Sequence, residues 1–174
     1  LQRFQLTRLL APGVCVSVNV RVTDGGQKQE ICTYILEWCR KHTTAGVCFL
    51  HYLNHIVLFY GAEDAARITG EMQSLLEEMK ERNGCVITVG VSEEGQGLPA
   101  ISKAYQQTQK VNALGMICGG KRLWNYGDYE KIRNRRQKMT DMYWKNLEIA
   151  MTGGSLKRVE ECVDAYAAEL DAAG

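Results

Sequence analysis

The segment from Val47 to Tyr60 places the strongest restriction on how this chain can fold. It is rich in β-branched and aromatic residues, and Asn54 interrupts it near the centre. Such side chains fit a pleated, partly buried surface, so the composition is typical of two strands joined by a tight turn. Helical patterns lie on both sides of the segment in the sequence. The segment therefore predicts a β-hairpin within a mixed α and β pattern.

Strand and helix patterns alternate around this hairpin. Val14 to Thr23 has valine at every second position, which predicts a strand with one apolar face. The other predicted elements are a helix through Ile31, Ile35 and Cys39, a helix from Glu63 to Gly84, a strand from Cys85 to Val91, a helix from Leu98 or Pro99 through Val111, and a strand from Arg122 to Tyr126. The order β-α-β-β-α-β-α-β begins with the six elements of a ferredoxin-like arrangement. We therefore expect an α+β fold in which an antiparallel sheet has helices packed on one face.

From Tyr129 onward the sequence predicts two helices and no strand. Gly153-Gly154 separates these helices, and Ser155 suits the N-cap of the second. We expect three regions, namely an entering helix or linker over 1–13, the α/β domain over 14–127 and a helical hairpin over 128–174. The chain begins with leucine instead of methionine, from which we expect a longer parent protein.

Composition and charge exclude several classes of protein. The formal net charge of the 174 residues is +1, whereas a surface that binds nucleic acid normally carries a basic excess. No apolar run approaches the length of a membrane span, and the first ten residues are too polar for a signal peptide. The seven cysteines form no pattern with zinc-binding spacing. Most lie in apolar segments, so we expect reduced thiols and a cytoplasmic protein.

Three segments together resemble a known family. They are the strand Val86-Ile87-Thr88-Val89-Gly90-Val91-Ser92, the helix from Ile101 to Val111 and the segment Gly119-Gly120-Lys121-Arg122-Leu123-Trp124-Asn125-Tyr126. With the helices that follow, they resemble a degenerate GGDEF-like domain from the middle region of AraC-type transcription regulators, often two-component response regulators. The resemblance implies a regulatory domain with a helix-turn-helix domain beyond this chain.

The resemblance also implies where a catalytic site would lie. Active members use an aspartate on the first strand and acidic residues at the hairpin turn to hold two divalent metals over a nucleotide triphosphate. The strand position is Asn19 here, and the segment from Tyr52 to Ile56 replaces the Gly-Gly-Asp-Glu-Phe motif. Neutral amide and imidazole groups do not supply the negative charge that magnesium prefers. We therefore predict that the chain is not an enzyme and has no catalytic, cofactor-binding or metal-binding residues.

Other candidate sites have weaker support. His42, His51 and His55 lack the further ligands that zinc requires. Asp24-Gly25-Gly26 lies where active relatives cradle phosphate but also suits a turn, while Gly119-Gly120-Lys121 lacks the spacing of a phosphate-binding loop. The basic residues between Lys131 and Lys138 are expected on the solvated face of a helix, with DNA phosphate contact as the alternative. The three tryptophans, Trp38, Trp124 and Trp144, fit core or interface positions.

The sequence thus predicts a non-catalytic signalling domain that relays a signal to a helix-turn-helix domain outside this chain. The alternative is a receptor that binds a nucleotide or cyclic dinucleotide without turning it over. We expect a homodimer, because symmetric dimers suit regulators that recognise paired half-sites. Contact with DNA would occur only through the domain outside this chain, no membrane is involved, and the sequence does not identify a small-molecule ligand.

Overall fold

The computed structural model describes residues 11–22, 27–52, 54–80, 85–118 and 122–173. Its elements are β1 (Gly13–Val22), α1 (Lys28–His42), β2 (Val47–His51), β3 (His55–Gly61), a 3-10 helix (Ala62–Arg67), α2 (Ile68–Lys80), β4 (Cys85–Gly95), α3 (Leu98–Cys118), β5 (Leu123–Asn125), α4 (Tyr126–Thr152) and α5 (Leu156–Ala173). This order matches the sequence prediction. Residues 1–10 of the predicted entering helix or linker and the glycine-containing segments 24–26, 83–84 and 119–121 lie outside the described residues.

The strands form one sheet in the order β2-β3-β1-β4-β5. β1 lies at the centre and pairs antiparallel with both β3 and β4, while β2 pairs antiparallel with β3. This arrangement confirms the predicted α+β, ferredoxin-like fold. β5 differs from the other strands because it runs parallel to β4, as a strand that follows a crossover helix does.

One face of the sheet packs against α1 and α2. The valines at the even positions of β1 face these helices, and Val16 and Val18 expose none of their surface. The helices supply the opposing apolar side chains at helical spacing, namely Ile31, Cys32, Ile35 and Cys39 from α1 and Ile68, Met72, Leu75 and Met79 from α2. The period of two in β1 and the helical period in α1 and α2 therefore meet in one apolar core.

The opposite face of the sheet packs against α3. Cys15 of β1 and Val57 of β3 lie in a small apolar cluster with Ala104 of α3. Gly90 of β4 permits the close approach of this helix, because a Cβ atom there would lie 2.6 Å from the carbonyl oxygen of Thr108. Helices therefore cover both faces of the sheet, and the expectation that they pack on one face is wrong. Both faces of β1 are buried, although its alternating sequence predicts an apolar pattern on one face only.

Residues 130–174 form a second compact unit, separate from residues 1–129. Within it, the rings of Tyr143 and Tyr166 lie 5.1 Å apart, and the hydroxyl groups of Thr140 and Tyr166 are 3.3 Å apart. Ser155 caps α5 as predicted, since its hydroxyl accepts a hydrogen bond from the Arg158 backbone. Across the described part of the chain, the helices are too short or too polar for any to span a bilayer.

The tryptophans occupy three different environments. Trp124 is buried beside α3, where a Cβ atom on Gly115 would meet its indole ring at 2.8 Å. Trp38 is half-buried on α1, and its ring lies 4.9 Å from that of His42. Trp144 is 66% exposed, so a core position is wrong for this residue.

Candidate functional site

The end of the β2–β3 hairpin lies directly against the central strand. Asn19 of β1 is the register partner of His55, the first residue of β3. The backbone N–H of Val20 donates to the carbonyl oxygen of Asn54 over 2.9 Å. The side-chain amide of Asn54 also donates to Oδ1 of Asn19 over 3.5 Å. The structure thus brings together Asn19 and the hairpin turn, the two places where the sequence lacks acidic residues.

Four polar side chains lie at aligned positions across four neighbouring strands. His51 pairs with His55, His55 with Asn19, and Asn19 with Thr88. We call these four residues the cross-strand row. The row lies on the face of the sheet covered by α3, and Asn19 and Thr88 are each only 6% exposed. The two histidines are half-buried.

Helix α3 and the turn supply contacts to the row that the sequence did not predict. The ring of Tyr105 lies 5.2 Å from that of His51 in an edge-to-face arrangement, and Sδ of Met116 lies 4.0 Å from Nδ2 of Asn19. Tyr52 lies 4.2 Å from the His51 ring and has a positive φ of 51°, which is uncommon for a residue other than glycine. The amphipathic pattern of α3 indicated its buried side but not these partners.

A second set of polar contacts joins β1 to α3 next to the row. Nδ2 of Asn112 donates to the carbonyl oxygen of Ser17 over 3.1 Å, and Nε2 of Gln109 donates to the Ser17 hydroxyl over 3.2 Å. Ser17 and Asn112 are almost completely buried. Buried polar groups that are paired in this way fix one register between helix and sheet. The sequence held one signal for these contacts. Polar residues occupy every second position of β1, and polar residues also occur on α3.

The side chains of the row carry no negative charge. Its side chains provide one amide, one hydroxyl and two imidazole groups, and none provides a carboxylate. Among the described residues, no group of three or more histidine, cysteine, aspartate or glutamate side chains is placed to hold a metal ion. The row therefore offers hydrogen-bond donors and acceptors but lacks the anionic oxygens that Mg²⁺ prefers.

The environment of the row shifts the pKa of His55. Burial lowers its pKa below the usual value of about 6.5, and the positive charges of His51 and Lys28 lower it further. Its Nδ1 atom is buried and has no hydrogen-bond partner among the residues that the structure describes. His55 is therefore held in its neutral form.

We predict that His55 titrates below pH 6.5 in the folded protein and that His51→Gln raises its midpoint, because the variant removes one nearby positive charge. The midpoint stays below 6.5 in the variant, because burial is the larger cause. NMR titration of the histidine Cε1 protons measures both values.

The same shift makes stability depend on pH with a definite sign. Between the folded pKa and about 6.5, the unfolded chain binds more protons at this position, so stability falls as the pH falls through this window. His55→Gln should remove this component from urea unfolding midpoints measured across the window. An unchanged pH dependence in the variant, or a His55 midpoint above 6.5, would contradict the assignment.

The remaining candidates are on other elements of the chain. His42 lies on α1, which packs on the opposite face of the sheet. The basic run belongs to α4, where Lys131, Arg133, Arg135 and Lys138 are exposed and Arg133 lies 3.7 Å from Glu130. The exposure of these side chains agrees with a solvated helix face.

Comparison with known proteins agrees with this architecture. The family model described as "GGDEF-like domain" matches residues 2–114, more than half of the chain. A solved structure of the active GGEEF domain of a diguanylate cyclase from Vibrio cholerae is similar, with a TM-score of 0.56 and 12% identity over 69% of this chain and 86% of that chain. At 12% identity, the structural similarity shows a shared fold and does not show a shared activity. No curated protein matches the chain. Because this family model matches more than half of the chain, the chain belongs to the GGDEF-like domain family.

Proposed function

We propose that this chain is a non-catalytic signalling domain of a bacterial, cytoplasmic AraC-type transcription regulator of the two-component response regulator type. The observation that carries the proposal is that the cross-strand row contains no acidic side chain. Asn19 and His55 are register partners, and neither side chain bears the negative charge that metal-dependent nucleotide chemistry requires. A domain that keeps the fold of a cyclase without these charges is suited to relay a signal.

The second compact unit supplies a means of relay. Residues 130–174 form a helical hairpin, and apolar side chains such as Trp144 and Leu156 are largely exposed on it. Large exposed apolar side chains are frequent at contact surfaces between proteins. In the proposed regulator, the hairpin presents a helix-turn-helix domain that follows in the intact protein, and the whole protein acts as a homodimer.

A turnover assay tests the absence of catalysis. The purified chain is incubated with GTP and Mg²⁺, and the nucleotides are separated by chromatography, with an active diguanylate cyclase as the positive control. We expect no cyclic di-GMP and no pyrophosphate. Formation of either product from this chain would overturn the proposal.

Binding and assembly are tested by separate measurements. Calorimetric titration with GTP and with cyclic di-GMP is expected to show no binding, whereas micromolar binding without turnover would favour the receptor alternative.

Light scattering should detect a dimer, and a monomer at high protein concentration would contradict the dimeric mechanism. Finally, the gene should encode a helix-turn-helix pair after Gly174, and a different sequence there would remove the regulatory assignment.

A further inference from the structure

Strand β2 lies at one edge of the sheet, where β3 is its neighbour among the described strands. The direction of its backbone groups follows from the strand register. The Val20 N–H donates to the Asn54 carbonyl oxygen, so the backbone of Asn54 is directed at β1. Because alternate residues of an antiparallel strand bond to opposite neighbours, the odd-numbered residues of β3 are directed at β2. The hydrogen bond from the Gly46 N–H to the Phe59 carbonyl oxygen, at 2.9 Å, agrees with this assignment.

Two residues of β2 therefore carry backbone groups that point away from the sheet. The register partners of the odd-numbered β3 residues are Val47, Phe49 and His51, whose backbone groups bond to β3. The N–H and C=O groups of Cys48 and Leu50 are directed outward, and within the described part of the chain no backbone group bonds to them. The outer edge of β2 is therefore open to a further strand.

The edge also lacks the features that normally prevent such pairing. Natural sheets protect their edges with charged side chains, proline, bulges or very short strands. The five residues of β2, Val-Cys-Phe-Leu-His, include no lysine, arginine, acidic residue or proline, and they pair with β3 without a bulge. The opposite edge differs, because β5 has only three residues. β2 is thus the edge that suits a partner strand.

Side chains on both faces of β2 would gain contacts from such a strand. All five residues of β2 are half-buried. Cys48 and Leu50 pack against the core beneath α1 and α2, while Phe49 packs beside α3 with its ring 6.4 Å from that of Phe59. A strand added at this edge would extend both apolar layers and remove more of their surface from water.

We propose that β2 pairs antiparallel with β2 of a second copy of this chain, about a two-fold axis at Phe49. In this register, Cys48 lies opposite the partner's Leu50, and Leu50 lies opposite the partner's Cys48. Each of these pairs exchanges two backbone hydrogen bonds. Phe49 faces the partner's Phe49 at a position where side chains approach closely, and facing aromatic side chains stabilise a strand pair.

The register itself favours a second copy as the occupant. A two-fold axis at Cys48 would place Leu50 opposite Gly46, whose N–H already donates within the chain. An axis at Leu50 would place Cys48 opposite Tyr52, whose positive φ of 51° does not fit a strand. The axis at Phe49 avoids both conflicts and pairs both outward residues. The edge is therefore complementary to itself, as a two-fold interface requires.

This inference rests on the homodimer of the proposed function and names its interface. The two can fail separately. A dimer that does not depend on β2 would overturn the inference and leave the homodimer intact. A chain that stays monomeric at high concentration would overturn both.

Proline at position 50 tests the backbone pairing. Leu50→Pro removes an outward N–H that β3 does not use, a position at which edge strands tolerate proline. Leu50→Ala is the matched control, because it also shortens the side chain but keeps the N–H. We expect the dimer Kd of Leu50→Pro, measured by analytical ultracentrifugation, to exceed that of Leu50→Ala about 30-fold, since two hydrogen bonds are lost per dimer. Circular dichroism shows that both variants are folded. Equal values would overturn the proposal.

Charges at position 49 test the axis. Phe49→Lys and Phe49→Glu each place like charges opposite each other, so each variant alone should be monomeric. An equimolar mixture should dimerise, because opposite charges then face each other. A mixture that stays monomeric, or single variants that still dimerise, would contradict an axis at Phe49.

Hydrogen exchange tests the wild-type protein without any substitution. The amide protons of Cys48 and Leu50 should exchange more slowly in the dimer than at concentrations below the dimer Kd. The Phe49 amide, which bonds to β3, should change little and serves as the internal reference. Exchange at Cys48 and Leu50 that does not depend on protein concentration would overturn the proposal.

Discussion

Replacing Gly90 by alanine is expected to lower the free energy of unfolding by about 1–3 kcal/mol, the usual cost of overpacking a well-packed interior. The added Cβ would lie 2.6 Å from the carbonyl oxygen of Thr108 and 3.0 Å from Oδ1 of Asn112. The first of these is a backbone atom of α3, so the contact is relieved only if the whole helix moves away from the sheet. Urea unfolding followed by circular dichroism measures the loss.

Gly70→Ala is the matched control for Gly90→Ala. Gly70 lies in α2, and nothing lies within 4 Å of a Cβ placed there. Alanine is favoured over glycine in a helix, so this variant should gain about 0.5–1 kcal/mol. The two substitutions thus have opposite expected signs. Equal effects would show that α3 does not approach the sheet closely at Gly90.

Displacement of α3 also has a local readout. The Asn112 amide donates to the carbonyl oxygen and hydroxyl of Ser17, so movement of the helix lengthens both hydrogen bonds. In Gly90→Ala, the side-chain amide protons of Asn112 should exchange with solvent faster than in the wild-type protein. Unchanged exchange together with lowered stability would place the strain elsewhere.

Replacing Leu75 by alanine is expected to lower the free energy of unfolding by about 2–5 kcal/mol, since the change removes buried methyl groups and leaves a cavity. Leu75 exposes none of its surface and faces the valines of β1 from α2. Urea or thermal unfolding measures the loss. The neighbouring Leu76→Ala is the control, because Leu76 is only partly buried and its truncation should cost markedly less. Equal losses would contradict the orientation of α2.

The predictability of the fold differs between the two faces of β1. Alternating valines from Val14 to Val22 predicted the strand and its apolar face, and α1 and α2 cover that face as their helical spacing requires. The other face of β1 carries Cys15, Ser17 and Asn19. When a strand is apolar on one face only, its other face is usually exposed to solvent. These three residues are buried instead, because α3 packs Ala104 against Cys15, donates a hydrogen bond from Gln109 to Ser17 and places Met116 beside Asn19. The sequence shows polar residues at every second position of β1, but it does not show which residues of a distant helix pair with them.

The candidate site shows the same division. The absence of acidic residues at Asn19 and in the hairpin turn was readable from the sequence, and the register of β1 and β3 makes Asn19 and His55 neighbours. The contacts of Tyr105 and Met116 with the row depend on where α3 crosses the sheet, which composition does not determine.

The central position of β1 has a consequence for how the chain folds during synthesis. β1 precedes both of its partners in the sequence, and its pairing with β4 joins Gly13 to Gly95 and Val22 to Cys85. Such distant pairings slow folding, because a long loop must close before the contacts form. On the ribosome, the β2–β3 hairpin can pair with one edge of β1 while the other edge still exposes free backbone groups, which invites pairing with other chains. The interval before Cys85–Gly95 emerges is therefore when this domain is most prone to aggregate.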